Sequence, residues 1–177
     1  MLTLLFICML TLAFNIQPVR AEPRTWTVDD DGPADFHTIQ GAINAANPED
    51  TIFVRAGSYY EHVVVNKAVS LIGDKPAITI IDGSGTGIVV KIEAANVTIR
   101  GFTIQNGRNT TIDCGINVKK HTVKISNNIV RNNYNGIWLQ RSNGSSIIDN
   151  KIWNNTWAVR ISESNKSVIH GNTIANN

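Results

Sequence analysis

The sequence predicts an all-β chain, a right-handed single-stranded parallel β-helix of about six coils with a short capping α-helix at its N-terminal end. Three observations predict it. First, a seven-residue shape keeps returning: "GFTIQNG" from Gly101, "NNIVRNN" from Asn127, "DNKIWNN" from Asp149 and "GNTIANN" from Gly171, at steps of 26, 22 and 22 residues. Self-similarity at this period marks a stacked solenoid. Second, each period holds three short pieces rich in Ile, Val and Thr that alternate apolar with polar and are separated by Gly and Asn, a pattern of strands rather than helices. Third, Leu139 is the only Leu after Leu71, which removes leucine-rich repeats, whose period is similar but needs several Leu per repeat.

In chain order, residues 1–21 read as a secretory leader. "LTLLFICMLTLAF" is apolar over 13 residues and is followed by a polar stretch ending in the small residue Ala21; such a run falls short of the roughly 18–20 residues that span a bilayer as a helix. Residues 22–50 supply an N-terminal strand and the cap helix. In "DFHTIQGAINAAN" the residues Ile39, Ala42, Ile43 and Ala46 have helical spacing, with Asp35 or Thr38 available as N-cap. A cap is expected because an uncovered coil end is an unpaired strand edge. Residues 51–177 form the coils, from "TIFVRAG" at Thr51 to Asn177, where no second cap is visible, so the repeats are expected to continue beyond that point.

A stacked coil returns to the same azimuth after each circuit, so its bends and its inward residues fall into columns. Asn106, Asn132, Asn154 and Asn176 form a column of bends, where Asn tolerates left-handed backbone and stacked amides can bond to one another. Ile116, Ile137 and Val159 form one inward column; Val118, Leu139 and Ile161 another; Ile104, Val130, Ile152 and Ile174 a third.

Composition narrows the function. Loss of residues 1–21 removes Arg20 and leaves 15 basic against 14 acidic side chains, so nothing favours nucleic acid or an anionic membrane surface. Cys8 lies in the leader and Cys114 has no partner in the remaining chain; beside an apolar strand, Cys114 reads as a small buried filler.

From Asp29 to Asp74, "DDDGPADFHTIQGAINAANPEDTIFVRAGSYYEHVVVNKAVSLIGD" resembles the opening of two groups with the pectin lyase fold, the exported NosD-like β-helix repeat proteins and the pectinesterases. The resemblance extends through "GFTIQN" and the later repeats. It implies the fold, an extracytoplasmic location at the cell surface and, through NosD, a link to copper-site maturation. It implies no activity, because the matching residues are cap, bend and core residues. The pectinesterase motifs Gln-Asp-Thr/Ala-Leu, Asp-Phe-Ile-Phe-Gly and Trp-Gly-Arg do not occur: no Gln precedes Asp, and Ala158 and Val159 separate Trp157 from Arg160. The polygalacturonase-like motifs Asn-Thr-Asp-Gly and Gly-Asp-Asp do not occur either.

Hydrolysis of glycosides or esters on this fold needs at least two carboxylates held together. After Asp82 the acidic residues are Glu93, Asp113, Asp149 and Glu163, at different positions within their coils, so no catalytic residue is assigned. Asp29, Asp30 and Asp31 could hold Ca²⁺ but read more simply as a solvated acidic turn. His37, His62, His121 and His170 share no metal-ligand spacing. The binding signal lies on the outer faces. With Ile137 and Leu139 inward, Trp138 points out, with Asn117 one coil before it and Arg160 one coil after. Trp153 faces outward between Arg131 and Ala175, and Trp157 opens the strand carrying Arg160. Indoles beside amides and a guanidinium suit sugar rings. Sequons occur at Asn96, Asn109, Asn143, Asn154 and Asn165; the composition alone yields about three by chance, so their number carries no argument.

These observations lead to a secreted or cell-surface β-helix, non-catalytic, that binds polysaccharide or surface proteins through its lateral face. The alternatives are a pectinesterase- or polysaccharide lyase-like enzyme whose catalytic residues are divergent or lie outside this segment, and a copper-site accessory protein.

Overall fold

The computed structural model describes residues 22–177. The leader expected over residues 1–21 lies outside them. Every sheet pairing is parallel, and from β2 to β16 each circuit of the chain delivers one strand to each of three sheets. The first sheet runs β1 (Thr25–Val28), β2 (Thr51–Val54), β5 (Ser70–Gly73), β8 (Thr98–Arg100), β11 (Lys124–Ser126), β14 (Ser146–Ile148), β17 (Val168–His170). The second runs β3 (Gly57–Tyr59), β6 (Thr79–Asp82), β9 (Thr103–Gln105), β12 (Ile129–Arg131), β15 (Lys151–Trp153), β18 (Thr173–Ala175). The third runs β4 (Val63–Val65), β7 (Ile88–Ile92), β10 (Cys114–Val118), β13 (Asn135–Gln140), β16 (Trp157–Ser162). The seven strands of the first sheet give about seven turns. The turn beyond the expected six is β1, which pairs with β2 from Thr25↔Thr51 onward.

The inward columns are in register as expected. Ile116 pairs with Ile137 and Ile137 with Val159; Val118 pairs with Leu139 and Leu139 with Ile161; Ile104, Val130, Ile152 and Ile174 follow one another. Most are fully buried, while in the last described turn Ile161 and Ile174 are 46% and 49% exposed, with no described rung stacked beyond them. The bend column holds as well: Asn106, Asn132, Asn154 and Asn176 have φ of 64°, 56°, 54° and 51°, the left-handed backbone that Asn accepts more readily than other non-glycine residues.

Deeper inside, two further Asn columns bind successive rungs together. Asn128, Asn150 and Asn172 form one; Asn133, Asn155 and Asn177 form the other. In each, the Oδ1 of one rung accepts both the backbone N–H and the Nδ2–H of the preceding Asn, as Asn155 does from Asn133 at 3.0 Å twice. Asn133 and Asn155 also donate Nδ2–H to the carbonyls of Arg131 and Trp153, their own second neighbours. Buried amides are tolerable only when satisfied in this way. The ladders explain the Asn at the second and the last position of the heptads from Asn127 onward.

At the front, α1 (Ile39–Ala45) packs on β1, β2 and β4. Thr38 is the N-cap, its hydroxyl accepting from Gly41 N–H. Glu61 from the following coil accepts the N–H groups of Ile39 and Gln40, satisfying two donors that a helix start leaves free. Asp35 instead accepts the Thr27 N–H and hydroxyl, both at 2.8 Å.

Candidate functional site

The third sheet carries the outer face of interest. Its strands place Lys91, Asn117, Trp138 and Arg160 in one outward column, one residue per rung. Arg160 folds back so that its guanidinium carbon lies 4.2 Å from the Trp138 ring centroid, a cation–π contact. The Trp138 indole N–H donates to Ser162 Oγ at 3.1 Å. Together these fix the indole against the sheet, half-buried.

Asn117 occupies the predicted column but not an accessible surface. It is 1% exposed, flanked in register by Lys91 and Trp138, and neither atom of its carboxamide has a hydrogen-bond partner among the described residues. An unpaired buried amide costs about 1–3 kcal/mol.

Trp157 is 58% exposed at the start of β16 and shares a cleft of about 260 Å³ with Arg160, Tyr134 and Thr111. Tyr134 and Thr111 are the wall residues that the repeat pattern does not single out. Thr111 comes from an inserted loop: nine positions separate Gln105 from Cys114, whereas four separate Arg131 from Asn135 and Trp153 from Trp157, the pairs in register with it. The 26-residue step in the sequence is the trace of that insertion. Asp113 holds the loop, its Oδ2 accepting the N–H groups of Gly87, Asn109 and Thr110 and its Oδ1 the Thr110 hydroxyl. Burial disfavours the Asp113 charge, but those donors outweigh it and keep the carboxyl below its ordinary value. An acid held ionised with its oxygens occupied is unsuited to proton transfer at the neighbouring cleft.

The other residues singled out in the sequence lie elsewhere. Trp153 is on the second sheet, between Arg131 and Ala175 as expected, with the Arg131 guanidinium carbon 5.3 Å from its ring centroid. Glu93 pairs with Lys91 and Glu163 with Arg141. Asp149 lines a separate hollow with Asn127, Asn128 and Lys151, without a second carboxylate. Asp29, Asp30 and Asp31 bring carboxylate oxygens within 4.8 Å of one another. Two are already used inside the protein: Asp29 pairs with Arg55 and accepts from Gly32 N–H, and Asp30 accepts from Ser58 N–H. Cys114 is fully buried, and burial pushes its thiol far above its ordinary value, as an inert filler requires.

A family model described as periplasmic copper-binding protein (NosD) matches residues 43–177, more than half of the chain. The chain belongs to the NosD family. A cell surface glycoprotein of Methanothermus fervidus is 36% identical over 152 residues, a match covering 78% of this chain and 25% of the relative. This NosD-family chain thus spans a quarter of the curated relative's length. Among solved structures, pectin methylesterase from carrot superposes with a TM-score of 0.56 at 16% identity, covering 87% of this chain and 65% of the other. Pectin methylesterase PemA from Erwinia chrysanthemi gives 0.54 at 14%, covering 76% and 56%. Identities this low speak for the fold alone.

Copper does not fit the residues described. Copper sites draw on imidazole, thiolate and thioether ligands, yet the group of three or more His, Cys, Asp or Glu brought together is the all-oxygen Asp29–Asp31 turn. The histidines stand in four settings: His37 before the cap helix, His62 ahead of β4, His121 in the bend before β11, and His170 at the end of β17. His37 and His62 each use Nδ1 on a backbone carbonyl, and His121 Nδ1 accepts the Asn143 N–H.

Proposed function

We propose that this NosD-family chain is an extracytoplasmic binding protein that holds polysaccharide, without turning it over, on the outer face of its third sheet. The family description and the cell-surface relative support the location. The observation that carries the binding reading is the cleft in which Trp157, Tyr134 and Arg160 converge with the Thr111 loop, beside the Arg160–Trp138 stack. Flat apolar rings take the C–H faces of a sugar, while the guanidinium and hydroxyls take its oxygens. Asn117, one rung before Trp138 and 1% exposed, lies beneath this face rather than opening onto it. Trp153, on the second sheet, extends the aromatic surface to an adjoining face.

Hydrolysis of glycosides or esters needs converging carboxylates, and the cleft lining contains none. A glycan array, run beside pectin demethylation and elimination assays on the same preparation, tests the reading. Binding without turnover, lost in Trp157→Ala and weakened in Arg160→Ala, is the expected result. Turnover overturns it in favour of a carbohydrate-active enzyme. Failure to bind any glycan, with capture of a defined surface protein that Trp157→Ala abolishes, assigns the same face to a protein partner instead.

A further inference from the structure

The geometry points to Asn109 as a site of N-linked glycosylation, the one sequon of the five whose acceptor amide and hydroxyl are both free in the folded chain. Transfer needs an exposed Asn amide and an accessible Ser or Thr hydroxyl two residues on, presented by a segment that can enter the transferase. Four sequons lie on the regular coils, and each has at least one of these groups engaged. Asn96 Oδ1 accepts the Thr122 hydroxyl at 2.6 Å. Asn143 Oδ1 accepts the Asn165 N–H at 2.7 Å, and the Ser145 hydroxyl that completes its sequon is 1% exposed. Asn154 Nδ2 donates to Asn132 Oδ1 at 2.6 Å within the bend column. For Asn165, the Ser167 hydroxyl donates to the Ser142 carbonyl at 3.2 Å.

Asn109 differs because of the insertion between β9 and β10. Asn109, Thr110 and Thr111 are all exposed, and Ile112 beside them is 64% exposed. Asn109 is held only through its backbone N–H, on Asp113; no hydrogen bond engages its carboxamide or the Thr111 hydroxyl among the described residues. The base of the loop is nevertheless fixed, since Asn135 Nδ2 donates to the carbonyls of Thr111 and Asp113 at 3.0 and 2.8 Å. The result is a loop anchored at its base with an exposed, unengaged acceptor at Asn109. In the reaction Asn109 Nδ2 attacks the anomeric carbon of a polyprenyl-phosphate-linked oligosaccharide. The N–C bond forms as the C–O bond to phosphate breaks, the lipid phosphate leaves with the electron pair, and the amide proton passes to solvent.

This inference rests on the extracytoplasmic location given above, and not on the binding cleft. The test is glycopeptide mass spectrometry of the full chain recovered from the envelope fraction of its own host, reading the tryptic peptide of residues 109–119 against the other four sequon peptides. The expected result is an oligosaccharide on most copies of that peptide, with the others largely bare. Thr111→Ala and Asn109→Gln should both abolish it and Thr111→Ser should retain it, which separates transfer to a sequon from any other modification of the loop. A bare Asn109 in envelope-derived protein, or occupancy of another sequon equal to it, overturns the assignment and leaves the binding reading intact. Recovery of the protein in the cytoplasm with Asn109 bare overturns the assignment together with the location it rests on.

Discussion

Asn150 Oδ1 accepts two hydrogen bonds from Asn128 of the preceding rung, from its backbone N–H at 3.0 Å and from its Nδ2 at 3.1 Å. Both residues are 1% exposed, so neither bond can be exchanged for water.

Asn150→Ala should therefore be among the costlier single changes in the coil. It takes the acceptor from the Asn128 N–H and from one of the two Asn128 Nδ2 bonds, the other staying on the Ile99 carbonyl, and the Nδ2 donor from the Ile125 carbonyl, at about 1–3 kcal/mol for each group left unpaired. A loss of at least about 2 kcal/mol, or roughly 4–8 °C in Tm, is expected for a chain of this length. Asn154→Gly is the comparison. It gives up one exposed amide bond to Asn132 and keeps the left-handed backbone free, so its cost should stay within about 0.5 kcal/mol. Equal thermal shifts for the two variants would show that the inner ladder adds nothing beyond the bends.

That ladder also marks where the sequence is legible and where it is not. Period-2 alternation within a 22-residue rhythm fixes which aliphatic residues stack, so columns such as Ile116–Ile137–Val159 follow from the letters alone. The outer bend column is equally plain, because Asn at a bend has a conformational reason to be there. The inner Asn128 and Asn133 columns are not, because a polar residue beside a bend reads as surface, and only the closing of successive rungs supplies the partners that let it be buried. Register places Trp138 and Arg160, yet the covering of Asn117 depends on how its neighbours' side chains lie. Thr111 meets Trp157 because an inserted loop carries it there, and Tyr134 because it lies one rung before Trp157, whose N–H its carbonyl accepts, at a position the apolar columns do not mark. The sequence shows the length of that loop but not its direction.

Asp113 sets the acid response of the loop. Its folded pKa lies below the unfolded value, so its contribution is fully present above the unfolded pKa of about 3.9 and is lost as pH falls through the folded one. Asp113→Asn should remove a stabilisation that is constant at neutral pH and fades in acid. The Tm gap between the two proteins should be widest at neutral pH and close as the pH drops below about 4. Asp50 has a depressed pKa too, through the N–H groups of Arg24 and Asn47 and the Trp26 indole acting against burial. Both proteins therefore lose stability in acid, and only the gap between them reports on Asp113. A gap that widens in acid would contradict the sign.

Asn117→Val should stabilise the protein. The change removes an amide with no partner and places a β-branched side chain at a strand position, so a gain of about 1–2 kcal/mol is expected in denaturant unfolding. A loss instead would mean that the carboxamide is satisfied in solution. Reduced glycan binding alongside raised stability would identify Asn117 as a residue kept for the face rather than for the fold.

Gly73 and Gly101 sit one above the other where the first sheet turns toward the second, and a Cβ on either would run into the carbonyl oxygen of its counterpart. Gly101 also has φ +86°. Gly101→Ala thus combines a backbone penalty of about 1–2 kcal/mol with a clash against main chain, which cannot yield without parting two rungs. Gly85→Ala separates the two contributions, since Gly85 has nearly the same φ, +85°, and a Cβ there would meet nothing within 4 Å. Gly85→Ala should cost only the conformational part, while Gly101→Ala should cost at least about twice as much. Urea unfolding of the pair measures the difference directly. Equal costs would mean that the rungs can slide apart at this corner without penalty, and that the tight spacing there is not what requires glycine.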